Sequence, residues 1–587
     1  MRSLTAFLIL APSLALAADP APIASSGGMV VAAQRLAAQA GAKILSQGGN
    51  AIDAAVATGY ALAVTYPEAG NLGGGGFMTI RLADGRTTFL DFREKAPHAA
   101  SADMYLDAKG NVIPGMSTDS WASIATPGSP AGLEYARVHY GTLPRATLMA
   151  PAIELASQGF TLTQGDAGIF QVATPPLKAD PAASAIFLPA GTPLQAGDRL
   201  TQPDLARSLT QISEKGPDAA FYHGPIGQAI AQATQAHGGR LTDQDFAAYK
   251  VREIAPVTCN YRGYSIISAP PPSSGGVTLC EMLQILQGYD LTGMGFHSAA
   301  EIHVLAEAMR HAYIDRNNRL GDPDYIQNPV ADLISPARAE EIRHAIQPDH
   351  ATPTSQIPVP PASATVEREG TQTTQYSVVD KAGNAVSVTY TLNNWFGAGR
   401  MAPGTGIMLN DEMDDFTSKP GTPNMFGLVQ GRANAIAPGK TPLSSMTPTI
   451  VTSNGKLVMV VGSPGGSRII TITLEAIINV IDHGMTVQEA IDAPRIHMQG
   501  TPDLIMTERG ALSPDTRKIL ESEGYHVKDY GYWGVAEAIL AGSPAIAHKP
   551  NFGEDGFLPL NARAAAGATL FGAHDVRGGA GAAVAAP

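Results

Sequence analysis

From Met29 to Thr65 small and apolar residues recur at helical spacing, broken at Gly48-Gly49-Asn50, and the pattern predicts helix on both sides of the break. The chain then changes period. TYPEAGNLGGGGFMTIRLADGRTTFLDFRE carries turn residues and alternating strand residues, so a hairpin follows the helices. Between Pro144 and Asp315 short helical patterns alternate with proline-rich turns, among them SAPPPSSGG at Ser268 to Gly276 and the helical run AEIHVLAEAMRHAYIDR. No internal repeat is visible. The stretch from Gln347 to Gly370 is rich in Pro, Ser and Thr with almost no large apolar residue, and marks the clearest boundary in the chain. Beyond it TTQYSVVD and AVSVTYTLN flank the turn Lys381-Ala382-Gly383-Asn384 as a β-hairpin. Pairing Asp380 with Ala385 puts Thr374 opposite Thr391 and gathers Thr373, Thr391 and Asn393 at the hairpin mouth. A second hairpin, TPTIVTS-NG-KLVMVVGS, turns at Asn454-Gly455 and runs through Pro464-Gly465-Gly466-Ser467 into a helix reaching Val480.

Composition narrows what these elements build. With 587 residues, 44% hydrophobic and 16% charged, the chain buries a sizeable core and is not a disulfide-stapled scaffold. The 62 glycines and 44 prolines follow no collagen period and belong to turns and close backbone approaches. A net charge of −13 without a basic run argues against a nucleic-acid partner. Met1-Arg2, an apolar stretch from Leu4 to Leu14 and Ala15-Leu16-Ala17 form a secretory signal over residues 1–17, so the protein is expected to be exported, periplasmic or secreted, with mature chain from Ala18. The most apolar later window, from Ala51 to Thr65, contains Asp53 and falls short of the about 20 residues a membrane span needs, so no stable membrane anchor is expected. Cys259 and Cys280 read as two buried free thiols, with one disulfide as the alternative.

A strand that begins in Thr-Thr directly after a linker suits an N-terminal nucleophile. Cleaving Gln372-Thr373 gives Thr373 both a hydroxyl nucleophile and its own α-amine as base, with a reference pKa of about 7.7 to 8.0. Gly465 and Gly466 before a helix let backbone N–H groups approach a tetrahedral oxyanion. LGGGGF at Leu72 lacks the Lys-Ser/Thr of a phosphate loop and reads as a tight turn, and the chain has neither HExxH nor GxSxG.

Taken together, GGNAIDAAVATGYALAVTYPEAGNLGGGGF, DFREKAP, APPPSSGG, GDPDY, TTQYSVVDKAGNAVSVTYTLN, MDDF, PLSSMTPT and GSPGGSRII make the chain resemble γ-glutamyltranspeptidases, a family of N-terminal-nucleophile hydrolases, from about Gly48 to Gly510. The resemblance implies an α/β (α+β) fold, a four-layer αββα sandwich built jointly by a large subunit (18–372) and a small catalytic subunit (373–587). It also implies self-cleavage between Gln372 and Thr373, with transfer of the γ-glutamyl group of glutathione and related amides to water or to amino acid and dipeptide acceptors, without cofactor or metal. By the same resemblance Thr373 is the nucleophile, Thr391 the threonine touching it, and Gly465 and Gly466 the oxyanion pair. Arg93, Ser444 and Ser445 take the substrate carboxylate, while Asn393, Glu412 and Asp415 take its ammonium; Asp411 to Asp415 lacks the spacing of a calcium loop.

Two positions depart from the family pattern. Phe426 stands where many bacterial members have a gating tyrosine, so a gate here must close by packing. The tail beyond Gly524 is longer, its closing element survives only as Ala573-His574-Asp575-Val576-Arg577, and the stretch 541–565 has no assigned role. Two rivals stay open: a glutaryl or cephalosporin acylase of the same superfamily, and a non-catalytic periplasmic binding protein for γ-glutamyl compounds.

Overall fold

The computed structural model describes residues 21–357, 372–546 and 569–587. The signal sequence, most of the Pro-rich linker and most of the 541–565 stretch lie outside the described residues.

Among the described residues, fourteen strands build two large antiparallel sheets. In chain order they are β1 (Ile23–Ser25), β2 (Gly28–Ala32), β3 (Gly75–Arg81), β4 (Thr87–Phe92), β5 (Arg252–Ile254), β6 (Val257–Tyr261) and β7 (Tyr264–Ser268). The chain continues with β8 (Thr374–Val379), β9 (Ala385–Thr391), β10 (Thr449–Ser453), β11 (Lys456–Gly462), β12 (Glu537–Ala541), β13 (Leu570–His574) and β14 (Ala582–Ala586). The first sheet has the order β14-β2-β8-β9-β3-β4-β5 and the second β1-β13-β12-β11-β10-β7-β6.

Side-chain alternation assigns the faces. Val30, Ala32, Tyr376, Val378, Val386 and Val388 point outward into a core shared with helices α1 (Arg35–Ser46) and α2 (Ala51–Thr65). Met29, Val31, Val379 and Ala385 point the other way, where they meet Ile450, Val460, Ile539 and Leu570 of the second sheet. The second sheet's outer face, including Ile266, Val451, Met459 and Leu540, packs under α3 (Gly275–Leu286), α4 (Ala299–Arg319) and α5 (Ile469–Ile481). The layers are therefore α, β, β, α, as the resemblance implied.

Local chemistry explains several elements. Helix α2 is buried along its whole length, and Asp53, the one charge in its apolar window, closes a capping box with Asn50. The same carboxylate accepts from Thr142 N, Thr142 Oγ1 and Leu143 N, so it anchors a neighbouring loop as well. At the other end of the chain, Asp575 is buried with Arg495 and Glu508, and the partly buried Arg577 joins them, with Arg577 Nε donating to Glu508 Oε1 at 2.9 Å and Arg577 Nη1 to Asp575 Oδ1 at 2.9 Å. The divergent closing element thus takes part in an ion network.

Three expectations need correction. Residues 29–32 are strand rather than helix: Met-Val-Val-Ala supplies one inward and one outward pair to the central sheet. The β8–β9 register is shifted by one, because Asp380 N donates to Asn384 O and the turn spans only Lys381–Gly383, with Gly383 at φ +90°. Val379 therefore pairs with Ala385 and Thr374 with Tyr390, which sets Thr373, not Thr374, across from Thr391. Finally, Cys259 and Cys280 form a disulfide, since α3 lies on the face of β6 with the two Cα atoms 5.9 Å apart.

Candidate active site

The corrected register has a chemical consequence at the open end of the hairpin. Thr373 Oγ1 and Thr391 Oγ1 are 3.0 Å apart, both residues buried. Asn393 N donates to Thr391 Oγ1 at 2.8 Å, and because an amide can only donate, it fixes one lone pair of that hydroxyl. Thr373 sits at φ +94°, a sparsely populated region for a β-branched residue, so the backbone is strained at the peptide bond expected to be cut.

The carbonyl of that bond is already engaged. Gly465 N donates to Gln372 O at 3.2 Å, while Gln372 Nε2 donates to Asn394 Oδ1 at 3.3 Å. Gly465 and Gly466 reach this position at φ +143° and +59°, just before α5. A Cβ on Gly466 would lie 2.5 Å from the Phe426 ring. Of the four glycines after Leu72, Gly73 and Gly74 precede β3 while Gly75 and Gly76 already belong to it, and the backbone passes so close to the site strand that a Cβ on Gly74 would lie 2.0 Å from Thr391 O.

Charge is concentrated on the opposite wall. Arg93, fully buried, is ion-paired with Glu412 and with Asp415 Oδ2 (2.5 Å), and Glu94 Oε2 stands 3.7 Å away. Burial alone would disfavour the guanidinium cation, but Glu412, Asp415 and Glu94 outweigh it and hold Arg93 charged. Burial pushes Glu412 well above the usual carboxylate range and Glu94 up to about 7, with Arg93 opposing both shifts. Arg93, assigned to the carboxylate end of a zwitterion, therefore ion-pairs in this structure with Glu412 and Asp415, assigned to its ammonium end.

Arg93, Thr373, Thr391, Asn393, Glu412, Asp415, Ser444, Ser445 and Gly466 line one cavity of about 20 Å³. Gly465 is not part of that lining; its amide is engaged by the Gln372 carbonyl. Phe426 lines the same cavity beside Gly466, and its loop is held in place by hydrogen bonds: Asn424 Oδ1 accepts from Phe426 N and Leu428 N, and Asp414 Oδ2 accepts from Met425 N at 2.9 Å. Asn393 Nδ2 donates instead to Asp411 O and Met425 Sδ. Among the described residues no group of three or more His, Cys, Asp or Glu side chains is placed to hold a metal ion.

Sequence reasoning missed Glu94, Gln430 and Arg316. Arg316 ends the run AEIHVLAEAMRHAYIDR, and its signal is that α4 is buried on nearly all sides, so a cation there must lie inside. Its Nη2 donates to Ser445 Oγ at 2.8 Å and its Nε to Ser274 Oγ at 2.9 Å.

Comparison with known proteins extends these observations. The model of the gamma-glutamyltranspeptidase family matches residues 37–549. The glutathione hydrolase proenzyme of Pseudomonas sp. (strain A14) is 56% identical over 93% of this chain and 94% of its own length. That of Escherichia coli (strain K12) is 48% identical over 89% of each chain. The crystal structure of cephalosporin acylase from Bacillus halodurans superposes with a TM-score of 0.81 at 26% identity, covering 99% of this chain and 100% of that one. Among the described residues no helix is long and apolar enough to cross a membrane.

Proposed function

The chain belongs to the γ-glutamyltranspeptidase family, and on that premise we propose that its chemistry, that of a self-processing γ-glutamyltransferase and glutathione hydrolase, runs through Thr373. The observation that supports this assignment is the meeting, at one strained residue, of Thr391 Oγ1 with the Gly465 amide that holds the Gln372 carbonyl.

In the uncut chain Thr373 Oγ1 attacks the Gln372 carbonyl carbon while the oxygen takes negative charge against the Gly465 N–H. The C–N bond then breaks with the nitrogen taking up the proton, and water hydrolyses the resulting ester. The products are a large piece ending at Gln372 and a small piece whose first residue carries a free amine. That amine becomes the base: it takes the Thr373 hydroxyl proton during attack on the γ-carbonyl of the donor and returns it to the departing amine. Water or the amine of an amino acid or dipeptide then resolves the acyl-enzyme.

Donor recognition follows from the charges. The α-carboxylate of a γ-glutamyl group replaces Glu412 and Asp415 as partner of Arg93, aided by Ser444 and Ser445, and its ammonium takes the released carboxylates together with Asn393. A glutaryl group brings the carbonyl chain but no ammonium, leaving two buried carboxylates unmatched, which disfavours the acylase reading. The apolar leader of residues 1–17 supports export to the periplasm or beyond.

The test is mass analysis and turnover of the wild type and Thr373→Ala. Wild type should separate under denaturing conditions into two pieces meeting at Gln372/Thr373 and should release amine from a γ-glutamyl anilide faster than from its glutaryl counterpart, with stimulation by glycylglycine. Thr373→Ala should stay uncut and inactive. A processed or active Thr373→Ala protein would refute the assignment, and glutaryl preference would move the protein to the acylases.

A further inference from the structure

Two arginines approach the carboxylate end of the site, and they differ in their partners. Arg93 is surrounded by Glu94, Glu412 and Asp415. Arg316 is as deeply buried, yet the acceptors around it are all neutral: Ser274 Oγ at 2.9 Å, Ser445 Oγ at 2.8 Å, Asn317 Oδ1 at 2.8 Å and Gln430 Oε1 at 3.5 Å. Among the described residues no carboxylate forms an ion pair with it. A buried cation without a directly paired anion is costly: burial pushes Arg316 down to about 10, with Tyr313 and the more distant Asp415 carboxylate opposing the shift and Arg93 adding to it.

The direction of these hydrogen bonds matters more than their number. A guanidinium can only donate, so Ser445 Oγ must accept from Arg316, and its own hydroxyl proton is left to point elsewhere. Ser444 is in the same condition by another route, since its Oγ accepts from Met446 N at 3.1 Å. Both serines line the cavity beside Arg93 and Thr373. Arg316 also anchors the loop itself: its Nε donates to Ser274 Oγ, which donates to Ser444 O at 2.6 Å.

We propose that Arg316 is a positioning residue for donor specificity: by donating to Ser445 Oγ it takes one of that oxygen's lone pairs and holds the side chain so that its hydroxyl proton is free to be donated to the α-carboxylate of the γ-glutamyl group, whose negative charge then lies next to the serine that Arg316 holds. The inference rests on the γ-glutamyl reading above and adds a residue outside the contact shell. It distinguishes the two arginines by task, one touching the ligand and the other acting through a serine.

The experiment compares wild type, Arg316→Gln, Arg316→Lys and Ser445→Ala as two-piece enzymes. The substrates are a γ-glutamyl anilide and the 4-aminobutyryl anilide, which is the same molecule without the α-carboxylate. Charge-assisted hydrogen bonds of this kind set the expected scale: Arg316→Gln should raise KM for the γ-glutamyl anilide about 10- to 100-fold. Its kcat should change by less than about 3-fold, and KM for the 4-aminobutyryl anilide should stay near the wild-type value. Arg316→Lys, a point charge without the fork, should show a smaller rise of about 3- to 10-fold. Adding Ser445→Ala to Arg316→Gln should cost little more than the larger single change. Equal losses on both substrates, a fall in kcat at constant KM, or additive effects with Ser445→Ala overturn the proposal. Should Arg316→Gln stay uncut, Arg316→Lys carries the test, and an unchanged KM there overturns it; failure of both to mature assigns Arg316 to folding and overturns it as well. Absence of wild-type turnover on the γ-glutamyl anilide would instead count against the underlying reading.

Discussion

Asp414 couples the loop over the site to pH. Burial lifts it to about 6, against the hydrogen bonds it accepts from Ser117 Oγ and Met425 N. Below that value the carboxylate takes a proton and its hold on Met425 weakens, so kcat/KM for a γ-glutamyl anilide should fall as pH drops through about 6. Asp414→Asn should flatten that limb of the profile. For stability the sign is opposite: the folded value lies above the ordinary 3.8, so the folded protein binds the proton more tightly than the unfolded chain does. This group therefore favours folding at low pH, and that contribution is lost as pH rises to about 6. At this scale the site was largely legible, because Thr373, Arg93, Asp415 and the serines each stand in a recognisable string. Arg316 was not legible as a site residue, since its role depends on α4 meeting a loop from the far end of the chain.

Elements were legible where one period dominates. The alternating run of β8 and β9 and the Asn-Gly turn between β10 and β11 came through, the latter with Asn454 at φ +49° and Gly455 at φ +74°. The β8–β9 register did not, because Asp380 closes a three-residue turn through its own side chain, accepting from Ala382 N and Asn384 N. Residues 29–32 were absorbed into the helical pattern that follows them, since four residues carry too little periodicity to overrule thirty. The disulfide was hidden for a related reason: spacing along the chain says nothing about a helix folding back on a strand. Cys259 and Cys280 are separated by 21 residues, a loop for which a cross-link contributes about 3 kcal/mol on the chain-entropy scale. Cys259→Ser, with Cys280→Ser to avoid a stray thiol, should lower the urea midpoint and steepen the transition slightly, because the denatured chain without the cross-link exposes more surface.

On the scale of the whole molecule, the proposed cut does not divide the architecture. Strand β2, upstream of Thr373, lies between β14 and β8, both downstream, and β3 pairs with β9 in turn. The inter-sheet layer is mixed as well, with Met29 and Val31 against Ile450, Val460 and Ile539. The two pieces should therefore elute together in size-exclusion chromatography after cleavage and part only in denaturant, whereas a binding protein that never matures would run as one chain in both. This shared sandwich was implied by the resemblance rather than by any pattern in the residues, which carry no signal for which strands become neighbours across hundreds of positions.

The Gly465 amide on the Gln372 carbonyl gives maturation a second meaning. If the same amide later faces the donor's oxyanion, a chain in which it is misplaced fails first on itself and remains in one piece. Each two-piece molecule has then passed an inspection of its own catalytic geometry, and a population enriched for cleavage is a population enriched for competence.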